Sequence, residues 1–392
     1  MPPAISSKLK SASKVVGHRR YLQTHAIIRN RCSLLKTPLR TALFFPGHGV
    51  QRVGMASPWA DMFPRIFNKL MDDVDKTLGY PLSQIMRQGP NWELNKTENS
   101  QPAIMATSIL ILRILEEEFG FSSHTLADVT LGHSLGEFTA LVAGGFLEFG
   151  DALRLVRRRA EIMSQCTKEV SERTGDEHGM IALVCEPDRL PELLETIHDF
   201  LGLAHPASKD DTGYKALAFQ EVMIANVNSN NQIVLSGNIP KIRTLIVQLR
   251  QFGGHDPRAV KLKCESPFHN PIMAPAADYM RHALEHVDIR FPTRMQCVSN
   301  VSGLPFTSRE ELKTLLSRQC VETVRWWDSI RYLDQEHGVT RWIGIGPGKV
   351  GQNLVGKGVG KVMVRGGGVW SICNPQELQD ILSDLQRLVT KN

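Results

Sequence analysis

The 392-residue sequence lacks any uninterrupted run of about 18 apolar residues, so it predicts no membrane-spanning helix. Acidic residues are absent from the start of the chain. The first is Asp61, whereas nine of the 46 Lys and Arg residues lie within residues 1–40. The remainder has 37 basic and 40 acidic residues. The net charge of +6 is therefore a property of the N-terminus, which argues against a nucleic-acid-binding protein.

Closely spaced cysteine pairs are also missing. The seven cysteines include no C-x-x-C spacing, and their number is odd. A zinc site or a disulfide framework therefore has no support in the sequence, and we expect no metal. Reduced, mostly buried thiols are the simplest interpretation.

Residues 1–40 are basic, rich in serine and free of acidic residues. This composition is typical of a mitochondrial transit peptide and predicts location in the mitochondrial matrix. The alternative is a disordered basic tail. A secretory signal is not favoured, because no apolar core of about 7 to 15 residues follows the first basic residues.

Strand and helix patterns alternate over the first half of the chain. Short apolar runs at residues 41–47 and 126–132 predict buried strands. Apolar residues recur at helical spacing over residues 59–79, 102–120 and 150–166. This alternation predicts an α/β fold with a parallel sheet covered by helices.

The order of elements changes over residues 176–263. The pattern there is strand, helix, two strands joined by an Asn-rich turn, helix and strand, which predicts an inserted ferredoxin-like small subdomain. The large α/β domain then consists of residues 41–175 and 264–392. Its later elements are expected to be helices at 271–287 and 308–319, a strand at 341–346 and a last helix at 375–389.

Residues 132–136, "GHSLG", fit the G-x-S-x-G pattern of a nucleophile elbow. A serine on a sharp strand-to-helix turn exposes its Oγ atom, and the following helix N-terminus offers free N–H groups to an oxyanion. The alternative for Ser134 is a helix N-cap. Since a predicted strand precedes it and a predicted helix follows, we favour Ser134 as a nucleophile.

A serine nucleophile needs a general base. His133 is a poor candidate, because consecutive side chains on such a turn diverge. His269 lies between a predicted strand and a helix, and Pro267 and Pro271 stiffen its loop. Spacing alone does not separate a base from a structural or exposed histidine.

Three consecutive arginines, residues 157–159, lie in a predicted helix. They point about 100° apart, so at most one or two can face a cleft, and the others belong to a solvated basic face. An arginine that faces inward can bind a carboxylate with two hydrogen bonds.

The glycine-rich segment at residues 344–360 approximates two nucleotide-binding patterns, but it lacks the acidic residue of one and the Ser or Thr of the other. We interpret it as a glycine loop at the end of a strand.

An ordered set of motifs resembles the malonyl-CoA:acyl-carrier-protein transacylases over about residues 41–355. The motifs are "FPGHGVQRVGM" (45–55), "SQPAI" (100–104), "GHSLGEFTALVAGG" (132–145), "LVRRRAEIM" (155–163), "NVNSNNQIVLSG" (226–237), "SPFHNPIM" (266–273), "SNVSG" (299–303), "RQCVETVRW" (318–326) and "IGPGKV" (345–350). Each motif alone is weak, whereas the ordered set is specific. The resemblance implies a hydrolase-like large domain, a ferredoxin-like small subdomain and an active site between them.

The resemblance also implies a ping-pong reaction without a cofactor. Ser134 would take a malonyl group from coenzyme A and pass it to the phosphopantetheine thiol of an acyl carrier protein. His269 would be the general base and acid, oriented by the backbone carbonyl of Gln319. Arg159 would pair with the malonyl carboxylate, and Phe268 resembles the bulky residue of malonyl-selective members. The remaining implied site residues are His48 and Leu135, as backbone donors of the oxyanion hole, and Gln101, Asn226 and Asn228, as substrate-binding residues.

One position departs from the family pattern, because His48 stands where the family usually has Gln. We expect His48 to add a group that titrates near pH 6 to 7. Carrier proteins are acidic, so a basic docking surface is also expected. Its candidates are Lys349, Lys357, Lys361 and Arg365. We expect the protein to be a monomer.

Two other functions remain open at this point. A serine hydrolase or thioesterase of the α/β class would need an acidic residue beside the histidine, and several acids lie between Ser134 and His269. A non-catalytic carrier-protein-binding module is the alternative from a different class. The intact Ser134 and His269 argue against it.

Overall fold

The computed structural model describes residues 40–202, 221–360, 367–378 and 381. All but the last residue of the predicted transit peptide, residues 1–40, and most of the predicted last helix, residues 375–389, lie outside these ranges. The strands are, in chain order, β1 (Arg40–Phe45), β2 (Val129–Gly132), β3 (His178–Val184), β4 (Val222–Ser229), β5 (Gln232–Asn238), β6 (Arg258–Lys261), β7 (Gln296–Val298), β8 (Val339–Ile345) and β9 (Gly368–Ile372).

The α-helices of the described residues precede, connect and cover these strands. They are α1 (Ser57–Met62), α2 (Pro64–Leu78), α3 (Leu82–Gln88), α4 (Asn91–Asn95), α5 (Thr97–Phe119), α6 (Ser123–Leu126), α7 (Gly136–Ala143), α8 (Phe149–Thr174), α9 (Leu190–Phe200), α10 (Ile239–Gln251), α11 (Ala274–Ala283), α12 (Arg309–Arg318), α13 (Trp326–Arg331) and α14 (Val350–Val359). Short 3₁₀ turns span Pro187–Arg189, Pro271–Met273 and Leu284–His286, and a π turn spans Tyr332–Glu336.

A parallel sheet forms the centre of the large domain, with strand order β7-β2-β1-β8-β9. The alternation of side chains along β1 explains its burial. Leu43 and Phe45 pack into one hydrophobic cluster, and Ala42 and Phe44 pack into another. Successive residues of a strand face opposite sides of a sheet, so the sheet is covered on both faces. The predicted α/β fold is confirmed.

A second, antiparallel sheet has the order β4-β5-β3-β6, and its strands all lie within residues 176–263. With α9 after β3 and α10 after β5, this is the ferredoxin-like arrangement. Ile181 and Leu183 of β3 face a cluster that includes α9 and α10. Met180 and Ala182 face the other way, toward the large domain. One face of the antiparallel sheet therefore packs against α9 and α10, and its other face packs against the large domain.

Several predicted boundaries are confirmed and others are wrong. Gly79 and Gly120 end α2 and α5 in the left-handed conformation, as their positions predict. Pro64 divides the first predicted helix into α1 and α2. Most of the predicted glycine loop at residues 344–360 is the helix α14. Its glycines are tolerated there because they allow close packing; a Cβ atom at Gly358 would lie 2.7 Å from the Trp327 ring.

Candidate active site

Ser134 lies at the tip of a sharp turn between β2 and α7, with a positive φ of 51°. Two glycines make this turn possible. A Cβ atom on Gly132 would lie 1.9 Å from the backbone of Gly136, and one on Gly136 would lie 2.4 Å from the carbonyl oxygen of Phe45. Only a residue without a side chain fits at either position. The turn therefore has the geometry of a nucleophile elbow.

Asn300 holds this turn through its side-chain amide. Its Oδ1 atom accepts from the backbone N–H of Ser134 at 2.6 Å, and its Nδ2 atom donates to the carbonyl of Gly132 at 2.6 Å. The Ser134 N–H is thus occupied and does not serve an oxyanion. Asn300 was not singled out in the sequence, although it lies within the quoted motif at 299–303.

His269 faces Ser134 from the loop before the 3₁₀ turn at Pro271–Met273. Its Nε2 atom is 2.7 Å from the Ser134 Oγ, and its Nδ1 atom is 2.8 Å from the backbone carbonyl of Gln319. Because that carbonyl only accepts, Nδ1 carries the proton and Nε2 is free to accept from the hydroxyl. Burial, followed by the nearby charge of Arg159, lowers the pKa of His269 to about 3. The imidazole is therefore neutral at pH 7, as a general base requires.

Ser134 and His269 are the only residues other than glycine with positive φ in the described part of the chain. A left-handed backbone costs an ordinary residue roughly 1–2 kcal/mol. Such strain persists where the surroundings determine the conformation, and it is frequent at active sites.

Arg159 is the arginine of the triplet that turns inward, and it is 1% exposed. Its Nη1 atom donates to Gln101 Oε1 at 2.9 Å, and its Nη2 atom donates to Gln319 Oε1 at 2.7 Å. The Nε atom is buried without a hydrogen-bond partner. Arg157 and Arg158 instead form ion pairs with Glu161. A buried cation with an unused donor is suited to a substrate carboxylate.

Glu137 is a second ionisable group of the site that the sequence did not reveal. Its Oε2 atom accepts from Gln319 Nε2 at 2.6 Å, and its Oε1 atom accepts from the backbone N–H of Asn300 at 3.0 Å. It is fully buried in α7. A carboxylate in the apolar helix that follows the elbow was the signal available in the sequence.

The segment after β1 lies against the elbow. The backbone N–H of His133 donates to the Phe45 carbonyl at 3.0 Å, and a Cβ atom on Gly47 would lie 2.7 Å from the His133 carbonyl. His48 follows in this segment, and Leu135 precedes α7. The two residues predicted to supply the oxyanion hole thus flank the nucleophile, and their role stays a prediction.

The expected titration of His48 near pH 6 to 7 is wrong. Burial lowers the pKa of His48 to about 4, so the ring is neutral in that range. Its Nε2 atom is buried without a hydrogen-bond partner. The ring centroid lies 5.4 Å from that of Phe268, the residue before the predicted base.

Asn226 and Asn228 of β4 bring the small sheet to the site. Asn228 Oδ1 lies 2.8 Å from His133 Nε2, and Asn226 Nδ2 lies 3.2 Å from the same atom. The ring of His133 also packs edge-on against Trp326 at 5.3 Å. His133 therefore points toward the small sheet and away from the Ser134–His269 pair, as expected of consecutive residues at the elbow.

A cavity of about 290 Å³ lies between the two sheets and contains Ser134 and His269 in its wall. The predicted residues His48, Phe268, Asn226 and Asn228 also line it, whereas Arg159, Gln101, Gln319 and Leu135 do not. The other lining residues are Pro46, Gly47, Gly49, Val50, His133, Met180, Ala182, Gln232, Val234, Leu262, Lys263, Cys264, Trp326, Val350, Gly351 and Leu354. The wall is mainly apolar around a few polar groups, as is usual for a small-molecule site.

Two absences hold for the described ranges. No cluster of three His, Cys, Asp or Glu side chains in them is placed to hold a metal ion. No helix in them is long and apolar enough to cross a membrane.

The sequence of this chain is similar to those of known proteins. Residues 43–188 match the family model described as an acyl transferase domain. The malonyl CoA-acyl carrier protein transacylase of Bacillus subtilis (strain 168) is 35% identical over 318 residues, which cover 81% of this chain and 90% of that protein.

Solved structures share the fold. The acyl-carrier-protein-S-malonyltransferase of Bartonella henselae matches with a TM-score of 0.72 and 28% identity, over 89% of this chain and all of that one. A malonyl-transacylase solved in complex with its type II PKS acyl-carrier protein matches with a TM-score of 0.69 and 27% identity, over 88% of this chain and 99% of that one.

Proposed function

Because the chain belongs to the malonyl CoA-acyl carrier protein transacylases and is an acyl-carrier-protein S-malonyltransferase, we propose that it transfers the malonyl group by a ping-pong mechanism through Ser134. The observation that carries the proposal is the pair formed by Ser134 Oγ and His269 Nε2, 2.7 Å apart. The 2.8 Å contact from His269 Nδ1 to the Gln319 carbonyl supports it, because that contact sets the tautomer of the base.

In the first half-reaction, His269 Nε2 takes the Ser134 hydroxyl proton as Oγ attacks the thioester carbonyl of malonyl-CoA. The N–H groups of His48 and Leu135 bind the oxyanion of the tetrahedral intermediate. The C–S bond then breaks, and His269 returns the proton to the coenzyme A thiolate. The product is a malonyl ester of Ser134.

In the second half-reaction, the phosphopantetheine thiol of the acyl carrier protein gives its proton to His269 and attacks the ester. Ser134 leaves with that proton, and malonyl-carrier protein is released. Both half-reactions use the same base, and no step uses a cofactor.

Arg159 selects the acyl group in this proposal. The free malonyl carboxylate pairs with the guanidinium, whose Nε atom is buried without a hydrogen-bond partner. Acetyl-CoA offers no such group and leaves the buried cation unpaired, which disfavours it. Phe268 narrows the cavity beside the reacting centre and disfavours a methyl branch on the malonyl C2 atom.

The hydrolase alternative is not favoured. It requires an acidic side chain on His269 Nδ1, and the partner of that atom is the backbone carbonyl of Gln319. A transacylase and a hydrolase differ in the acceptor of the acyl group, and we expect a thiol rather than water to be the acceptor here.

The test is intact-mass analysis after incubation with malonyl-CoA. We expect one malonyl group on the wild type and on the control Ser123→Ala, which changes a serine of α6 near the opposite end of β2, and none on Ser134→Ala. The trapped malonyl-enzyme should then discharge faster to a pantetheine thiol than to water. Malonylation of Ser134→Ala, or faster discharge to water, contradicts the proposal.

We also propose that the enzyme acts in the mitochondrial matrix, supplies malonyl-carrier protein for fatty-acid synthesis there, and works as a monomer. The basic, acid-free composition of residues 1–40 supports the location. Import of a fluorescent protein fused to these residues tests the location, and sedimentation of the purified enzyme tests the monomer.

A further inference from the structure

Glu137 takes no part in the transfer steps above, although it contacts two residues of the site, Asn300 and Gln319. The carboxyl group is 0% exposed and lies three residues after Ser134. Each of its oxygens accepts one hydrogen bond, from the backbone N–H of Asn300 at 3.0 Å and from Gln319 Nε2 at 2.6 Å. Moving a carboxyl group from water into the protein interior costs free energy, so its burial here requires a physical explanation.

The side-chain amide of Gln319 has one favourable orientation in this environment. Its Nε2 atom donates to two oxygens, Glu137 Oε2 at 2.6 Å and the Ser134 carbonyl at 2.8 Å. Its Oε1 atom accepts from Arg159 Nη2 at 2.7 Å. A flipped amide would place its oxygen against two acceptors and its NH₂ group against the guanidinium.

Arg159 depends on this orientation. Its two terminal nitrogens donate to Gln101 Oε1 and Gln319 Oε1, which together fix the plane of the guanidinium. Its remaining donor, Nε, is the one without a partner. Whatever holds the Gln319 amide therefore also sets the direction in which Arg159 presents its free N–H groups.

We propose that Glu137 is a positioning residue for acyl selection, which orients the Gln319 side chain and thereby holds Arg159 in place for the free carboxylate of the substrate. This inference rests on the role of Arg159 in the proposed function. The base is held separately, because His269 contacts the backbone of Gln319 and not its amide.

The charge state of Glu137 makes the inference testable. Burial raises the pKa of Glu137 to about 8, although the Asn300 N–H, the Gln319 amide and the Arg159 charge all lower it. The other titratable groups that face it are the thiols of Cys297 and Cys320, whose pKa values burial raises. Glu137 is therefore the group here that changes charge between pH 6 and pH 9. In the ionised form both of its oxygens act only as acceptors, whereas in the protonated form one of them carries a hydrogen and becomes a donor.

The experiment compares the wild type with Glu137→Gln at pH 6 and pH 9. In the variant, the oxygen of the new amide can accept from the Asn300 N–H, but its NH₂ group then faces the NH₂ group of Gln319. The repulsion between these two donors disrupts the hydrogen bond between Gln319 Oε1 and Arg159. At pH 9 we expect a KM for malonyl-CoA raised about tenfold, as for the loss of a hydrogen bond to a charged group. At pH 6, where both enzymes carry a neutral side chain, we expect the two KM values to agree within about twofold.

Acetyl-CoA separates selection from general damage. It has no free carboxylate, so acetylation of Ser134 by the wild type and by the variant should proceed at rates within about twofold at both pH values. The matched control is Glu161→Gln, which removes a carboxylate from the helix of Arg159 without touching Gln319; it should behave as the wild type. Rates are normalised to the fraction of enzyme that Ser134 malonylation titrates, which removes any effect of misfolded protein.

Three outcomes for Glu137→Gln overturn the inference. The first is an equal rise in the KM for malonyl-CoA at pH 6 and pH 9, and the second is an equal loss of Ser134 acylation with malonyl-CoA and with acetyl-CoA. The third is a KM for malonyl-CoA that is unchanged from the wild type at both pH values. If Glu137→Gln does not fold, Glu137→Asp keeps the charge one methylene further away, and the same pH and substrate comparisons decide. Absence of malonylation on wild-type Ser134 would instead contradict the proposed function.

Discussion

Ser134 and His269 have a left-handed backbone conformation, which residues other than glycine rarely adopt, and hydrogen bonds hold both of them. Asn300 holds the backbone on both sides of Ser134, and the Gln319 carbonyl holds the ring of His269. The strain of roughly 1–2 kcal/mol at each position is offset by these contacts. At the scale of single residues, the proposed catalysis depends on a neutral imidazole held within hydrogen-bonding distance of a hydroxyl.

The low pKa of His269 predicts an unusual pH profile. A base with an ordinary pKa of about 6.5 loses activity more than tenfold between pH 6.5 and pH 5, because it becomes protonated. With a pKa of about 3, His269 stays neutral throughout this range. We expect the rate of Ser134 malonylation to change less than about twofold between pH 5 and pH 6.5. Rapid-quench kinetics measures this rate, and a midpoint near pH 6.5 would contradict the prediction.

At the scale of elements, local patterns predicted most of what builds the elbow. The apolar runs of β1 and β2, the glycines around Ser134 and the helices that end at Gly79 and Gly120 depend on neighbours in sequence. The strands β7 and β9 were missed, because β7 has three residues and both are stabilised by pairing with strands far along the chain. The mixed strand and helix order of residues 176–263 did predict the small sheet.

The site was predictable to the same extent. The motifs predicted Ser134, Arg159 and His269 as site residues because each residue type carries its chemistry in its own side chain. Glu137 and Asn300 act on other residues, and their mutual contact joins positions 163 residues apart. No periodicity or spacing in one sequence reveals such a contact. The pKa of His48 was mispredicted for the same reason, since burial depends on the folded chain.

The close approach at the elbow predicts that Gly132→Ala disrupts the turn. Its Cβ atom would overlap the backbone of Gly136, and neither segment is a flexible side chain that could move. We expect the free energy of unfolding to fall by more than about 3 kcal/mol, with loss of malonylation. Urea unfolding measures the change.

Gly150→Ala in α8 is the matched control. There the nearest heavy atom to a new Cβ is a terminal nitrogen of Arg154 at 3.7 Å. This variant should be as stable as the wild type or up to about 1 kcal/mol more stable. A Gly132→Ala enzyme that unfolds at the wild-type urea concentration would show that the turn can relax.

At the scale of the whole molecule, the cavity lies where the two sheets meet. The loop after β1 and the elbow supply one wall, and the face of the small sheet that carries Met180 and Asn228 supplies another. Val324, after α12, bonds to both neighbours of Asn226 in β4, which ties the small sheet to the large domain. The cleft is therefore held by backbone contacts close to the reacting groups.

Carrier-protein docking is the prediction at this scale. Of the candidate basic residues, Lys349 forms an ion pair with Glu377, and Lys357 is exposed on α14, near Val350 and Leu354 of the cavity wall. Lys361 and Arg365 lie outside the described residues. We expect Lys357→Glu with Lys361→Glu to raise the KM for the acidic carrier protein about tenfold at low salt, and less at high salt.

The control for docking is Arg243→Glu, on the helix α10. That helix covers the face of the small sheet opposite the cavity, so the change should leave the KM for carrier protein unaltered. Steady-state kinetics with malonyl-CoA at saturation measures both variants. An unchanged KM in the double variant would place the docking surface elsewhere.

The two roles of Gln319 suggest how acyl preference could diverge within this fold. Its main-chain carbonyl contacts the proposed base, His269, whereas its side-chain oxygen accepts from Arg159, so the two contacts use different atoms of one residue. A substitution there replaces the amide but retains the carbonyl. In the proposed mechanism, a substitution at this position changes the selection of the acyl group and keeps the contact to the base. The same substitution is open to gene duplicates during evolution and to a protein designer.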